Sequence, residues 1–133
     1  MNGYLIDTDW AIDAMHHLSA ATRTLASLTG AGLAVSIISY GELFEGAYYA
    51  PTRAVALTGL REFLQDKPIL SLTDAIMETF AIVRGQLTRP LRQQIGDLDL
   101  LIAATALTHD LTLLTRNLRD FQHIPGLTLY QVT

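Results

Sequence analysis

The stretch that most constrains this chain is Gly3-Tyr4-Leu5-Ile6-Asp7-Thr8-Asp9, a short apolar run that meets a carboxylate, a hydroxyl and a second carboxylate. A run bounded in this way reads as a buried strand. In an open α/β sheet, ligands bind beyond the carboxyl ends of the strands, and Asp7 falls at such an end. A helix cap is the structural alternative, but Thr8 or Asp9 can supply it, which leaves Asp7 without an obligatory structural duty. The expectation is that Asp7 holds a divalent metal and that at least two further acids meet it.

The rest of the chain supplies strands to carry them. Leu33 to Ile38, Ile69 to Leu72, Leu111 to Thr115 and Leu127 to Tyr130 read as strands after Tyr4 to Asp7. Helical patterns run from Trp10 to His17, from Ser19 to Leu28, from Ser39 to Tyr48, from Val55 to Leu64, from Thr73 to Val83 and from Asp97 to Leu107. The segment 88–96 lacks a strong period and reads as an ordered loop or short helix. Strands alternating with helices predict an α/β fold with parallel pairing and right-handed crossovers. With 133 residues and no linker or repeat, the chain 1–133 is expected to form one domain.

Composition narrows the chemistry. Half the residues are hydrophobic and 17% are charged, as in a soluble globular protein. No apolar stretch approaches the ~20 residues that span a bilayer, and no secretory leader pattern opens the chain. The absence of cysteine excludes thiolate ligands and agrees with a cytoplasmic location. A formal charge of −4 argues against holding nucleic acid by bulk electrostatics. It is compatible with an enzyme whose acids face phosphate through a cation. The four histidines show no metal-ligand spacing.

Each remaining acid has a local alternative. Glu42 fits a capping box with Ser39, yet it also stands just beyond a strand. Asp97 follows Gly96 as the natural N-cap of an apolar helix. Asp99, flanked by Leu98, Leu100 and Leu101, is less well explained, because an unpaired buried carboxylate is costly. Asn117 follows the fourth strand, where Asn is a common turn residue, and Asp120 reads as a turn or cap acid. Four strand ends would carry Asp7, Glu42, Asp99 and Asn117 to one rim. Like charges so gathered need a cation, and an oxygen-only set suits Mg²⁺ or Mn²⁺.

These residues resemble a known family. The run Leu5-Ile6-Asp7-Thr8-Asp9, the stretch from Ser36 to Gly46, Asp99-Leu100-Leu101-Ile102-Ala103-Ala104-Thr105-Ala106 and the stretch from Leu113 to Phe121 are together similar to the PIN-domain ribonucleases, in particular the VapC toxins of toxin–antitoxin pairs. The resemblance implies an α/β/α sandwich on a mostly parallel sheet of about five strands. It implies Mg²⁺-dependent RNA cleavage, with Mn²⁺ able to substitute, by Asp7, Glu42 and Asp99 as metal ligands and Asn117 as the fourth catalytic position. It further implies a VapB-like antitoxin that blocks the site, and a toxin homodimer. Asp9 stands where the family often has Asn, and neutral Asn117 would bind a second metal more weakly than Asp.

Two other readings compete. Asp7-Thr8-Asp9 also matches the opening of the nucleophile motif of haloacid-dehalogenase-like phosphatases, with Asp7 attacking phosphate, although that motif wants Thr or Val at Ala11 and a catalytic lysine. The one lysine is Lys67, beside Pro68. An inactive PIN-like module that only binds a partner is the other reading, and the intact acids speak against it.

Overall fold

The computed structural model describes residues 3–17 and 19–131. Its element order is β1 (Tyr4–Ile6), α1 (Thr8–Met15), α2 (Ser19–Leu28), β2 (Leu33–Ser36), α3 (Ile37–Tyr48), α4 (Arg53–Leu64), β3 (Ile69–Leu70), α5 (Asp74–Gln86), α6 (Arg89–Ile95), α7 (Asp97–Thr108), β4 (Thr112–Leu114) and α8 (Leu118–Phe121). The strands form one four-stranded sheet in the order β3-β2-β1-β4. All pairings are parallel, with Tyr4 opposite both Leu33 and Thr112 and Val35 opposite Ile69. Parallel strands need helical crossovers, and these cover both faces.

The strand pleat divides the core in two. Leu5, Ala34 and Leu113 face α5, α6 and α7, where they meet Val83, Ile95, Leu100 and Ala103. Their chain neighbours Ile6, Val35 and Leu114 face the opposite layer of α1 to α4, among Trp10, Leu25, Leu43 and Leu60. This is the period of two expected of buried strands, and it yields an α/β/α sandwich. Full burial of each such side chain is worth about 1.5–3 kcal/mol. In α7 the residues Ile102 to Ala106 are all fully buried, as an apolar-all-round helix must be.

Two boundaries differ from expectation. Residues 127–130 form no fifth strand. They meet β4 through a single parallel bridge, Leu113 to Leu129. The Leu127 N–H closes a turn onto the Ile124 carbonyl at 3.3 Å, so the ladder has no room to extend. The second strand stops at Ser36, whose hydroxyl caps α3 by accepting from the Ser39 N–H at 3.0 Å. The helix therefore starts before Ser39, and no Ser39–Glu42 capping box forms. Residues 89–95 take the helical one of the two forms expected for that segment, capped by the Thr88 hydroxyl with Pro90 in the first turn. No helix among the described residues is long and apolar enough to cross a membrane.

Candidate active site

Because β1 lies between β2 and β4, the carboxyl ends of three strands are neighbours. Asp7 occupies the central one and is itself the N-cap of α1, its Oδ1 accepting from the Thr8 N–H at 2.8 Å. Neither Thr8 nor Asp9 takes that duty. Its Oδ2 accepts from the Thr115 hydroxyl at 2.7 Å, just beyond β4. Asp7 is 6% exposed. Burial pushes its carboxyl up to about 7. The hydrogen bond from Thr115 opposes the rise and the charge of Asp9 reinforces it.

The neighbouring acids are tied in through hydroxyls. Thr8 Oγ1 donates to Glu42 Oε1 at 2.7 Å, joining the first turn of α1 to the second turn of α3. With the capping box absent, Glu42 is free for this contact. Asp9 Oδ2 accepts from the Arg116 N–H at 3.0 Å and, at 3.4 Å, from the Thr115 hydroxyl. Its Oδ1 is buried with no hydrogen-bond partner. Asp99 sits in the first turn of α7, where burial first, then the charges of Glu42, Asp120 and Asp9, raise its carboxyl to about 6. The predicted set Asp7, Glu42 and Asp99 therefore shares one rim.

Asn117 reaches the same rim in a different capacity. It caps α8, its own N–H donating to Thr115 Oγ1 at 3.0 Å, while its Nδ2 donates to Asp120 Oδ2 at 3.0 Å. Gln94 of α6 donates to the other Asp120 oxygen at 2.6 Å. These two donors hold the Asp120 carboxyl below the usual carboxylate range. Asp120 is the rim acid that residue-by-residue reading assigned to a turn. The spacing Asn117-x-x-Asp120, with a cap and an acid in one helical turn beyond a strand, was the signal for it. Asp97 lies outside the rim: it is exposed and paired with Arg84 at 3.0 Å, while backbone Gly96 takes the cap position. The Ser39 hydroxyl is buried without a hydrogen-bond partner.

The donor set fits a hard dication. All the side chains offer oxygen, and no arginine, lysine or histidine makes an ion pair with Asp7, Asp9, Glu42, Asp99 or Asp120 among the described residues. The carboxylates raise one another's pKa values, and Asp9 Oδ1 has no donor. Such a cluster has no ion pair to balance it among the described residues, although the charge of Arg116 acts on Asp9 and those of Arg119 and His123 act on Asp120. Among the described residues no three acids close into a finished cage; the threonine hydroxyls link them instead. The phosphatase alternative fails on geometry. Lys67 leads into the amino end of β3, with Nζ donating to the Phe63 carbonyl at 2.8 Å and paired with Asp66 at 3.0 Å. Asp7 lies at the opposite end of this parallel sheet, so the lysine cannot serve it.

Comparison with known proteins identifies the family. The PIN domain family model matches residues 4–127. Ribonuclease VapC19 of Mycobacterium tuberculosis is 35% identical over 126 residues, 92% of this chain and 95% of the relative. The tRNA(fMet)-specific endonuclease VapC of Salmonella typhimurium is 30% identical over 129 residues, 95% of each. The crystal structure of VapBC2 from Rickettsia felis bound to a promoter DNA fragment matches with a TM-score of 0.86 at 27% identity, over 98% of both chains. A parallel sheet with acids at its carboxyl rim and a full-length match on both sequence and fold lead to one conclusion: the chain belongs to the PIN-domain family, among its VapC ribonucleases.

Proposed function

We propose that the chain acts as one nuclease domain over residues 1–133, a cytoplasmic metal-dependent endoribonuclease that is the toxin of a toxin–antitoxin pair. The observation that carries this reading is the convergence of Asp7, Glu42, Asp99 and Asp120 on one rim without a balancing ion pair. The residues proposed to hold Mg²⁺, or Mn²⁺ in its place, are Asp7, Asp99 and Glu42. A cation bound there lowers the pKa of a water and polarises the scissile phosphate. Thr115 and the Thr8 N–H orient the two Asp7 oxygens, and the Thr8 hydroxyl aims Glu42. Asn117 serves as a positioning residue, because its amide is committed to Asp120. Hydrolysis would leave a 5′-phosphate and a 3′-hydroxyl. The test is cleavage of a mixed RNA pool by purified protein. Activity with Mg²⁺ or Mn²⁺ should vanish on chelation and return on metal addition; cleavage that persists in chelator would refute the metal assignment.

The antitoxin has a surface to occupy. A groove of about 610 Å³ between α1, α3 and α4 starts at Glu42 and runs past Ile12, Ala47 and Leu60 to Val55, which is 71% exposed. A peptide seated there would reach the acid rim at one end. Val55→Asp is expected to weaken cognate antitoxin binding about tenfold while the free toxin still cleaves RNA; unchanged affinity by calorimetry would place the antitoxin elsewhere. The homodimer is proposed from the family resemblance, with Tyr48 and Tyr49 as the exposed aromatic pair available to it.

A further inference from the structure

Five of the eight arginines fall between residues 84 and 119, although the chain carries a formal charge of −4. Three of them, Arg84, Arg89 and Arg92, line a surface cleft of about 380 Å³ together with Gln93, Gly96 and Asp97. The cleft forms where the last turn of α5 meets α6 and the turn into α7. Arg89, Arg92 and Gln93 are spaced i, i+3 and i+4, so α6 presents them on one face. Arg84 is balanced by Asp97 at 3.0 Å. Arg89 and Arg92 make no ion pair among the described residues, which leaves two guanidinium groups uncompensated in an acidic protein.

The cleft is joined to the acid rim through α6. Gln94, the next residue on α6, donates to Asp120 Oδ1 at 2.6 Å. One side of α6 thus steadies the rim while the adjacent side offers the arginines. Guanidinium forks match phosphate oxygens bidentately. A strand whose phosphodiester enters the rim must continue past one of its flanks. On the other flank Arg116 is engaged by Asp13 at 3.3 Å.

We propose that Arg89 and Arg92 each bind a backbone phosphate of the RNA strand flanking the scissile bond. This assignment rests on the ribonuclease reading above and names its substrate-holding subsite. RNA is favoured over an acidic protein because the cleft adjoins the place where a phosphodiester must lie, a constraint a carboxylate partner would not impose.

The test uses full-length protein carrying Asp99→Asn, so that RNA is not consumed, and fluorescence anisotropy with a short labelled single-stranded RNA in Mg²⁺. Adding Arg89→Gln and Arg92→Gln should weaken binding about tenfold and reduce the slope of log affinity against log salt by about 1.4, the loss of two phosphate contacts. The charge-matched pair Arg23→Gln and Arg53→Gln, on α2 and α4 in the opposite layer, should stay within about twofold of the parent. Arg89→Lys with Arg92→Lys should recover part of the loss, and matched thermal midpoints guard against misfolding. An unchanged affinity and slope for the glutamine pair, or an equal loss in the control pair, overturns the proposal. So does a loss of antitoxin affinity with RNA affinity intact, which would assign the cleft to a protein. If the wild type neither binds nor cleaves RNA while folded, the ribonuclease reading itself falls, and the subsite with it.

Discussion

Asp99→Asn is expected to yield a folded protein whose RNA cleavage is reduced by at least about a hundredfold to a thousandfold, the scale seen when one stabilising group is removed from a reacting centre. The change keeps the side chain's shape and removes only its charge. Asp99 is a half-buried acid in the first turn of α7, and Glu42, Asp120 and Asp9 all raise its pKa. Neutralising it relieves that repulsion, which offsets the loss of a favourable anion at a helix N-terminus. Stability of the metal-free protein should therefore be unchanged or slightly higher. Calorimetric titration with Mn²⁺ should show weakened uptake in the same variant. Activity within about threefold of wild type, or a loss that merely tracks unfolding, would return Asp99 to a structural role.

The second large effect concerns pH. The Asp7 carboxyl is raised from 3.8 to about 7, mainly by burial. The folded state thus binds a proton that the unfolded state has released, so stability falls as pH rises between these values. Its contribution is fully present below about pH 4 and is lost as pH climbs through about 7, on the order of 4 kcal/mol. Asp99 and Asp9 are raised too and act with the same sign. Metal-free wild type should accordingly melt roughly 5–10 °C higher at pH 5 than at pH 7.5. Asp7→Asn should be more stable than wild type at pH 7.5 and show a much flatter profile. Its amide is tolerable because the Thr115 hydroxyl can turn towards Asp9 Oδ2, already 3.4 Å away. Saturating Mn²⁺ should remove the wild-type slope, since ligands bind metal deprotonated. Calorimetric melts with chelator and with Mn²⁺ decide the matter: parallel profiles for wild type and Asp7→Asn would contradict the assigned burial of this carboxyl.

Local pattern captured some elements and mistook others for identifiable reasons. Ser39 and Glu42 have capping-box spacing, yet Ser36 caps the helix because the β2 ladder ends there. That choice depends on where β3 stops pairing, which the local sequence does not state. Leu127 to Tyr130 has strand composition, but a turn hydrogen bond limits it to one bridge. Asn117 and Asp120 both read as turn residues from sequence. The hydrogen bonds from Asn117 and Gln94 fix the Asp120 carboxylate beside the rim, across contacts that local sequence does not state. Lys67 could not be excluded as a phosphatase lysine until the sheet put it at the opposite end from Asp7.

What the chain determines by itself is periodic and local. Pairs such as Leu5–Ile6, Ala34–Val35 and Leu113–Leu114 supply an apolar residue to each face of a strand, which calls for a sheet covered on both sides. Acids placed just beyond these runs are carried to its carboxyl edge. Which acids become neighbours was decided by tertiary structure. Thr8 reaches Glu42 across 34 positions and Thr115 reaches Asp7 across 108, contacts that exist because β1 pairs with β2 on one side and β4 on the other. Strand order is selected by how the crossover helices pack, a property of the whole chain that no short stretch encodes.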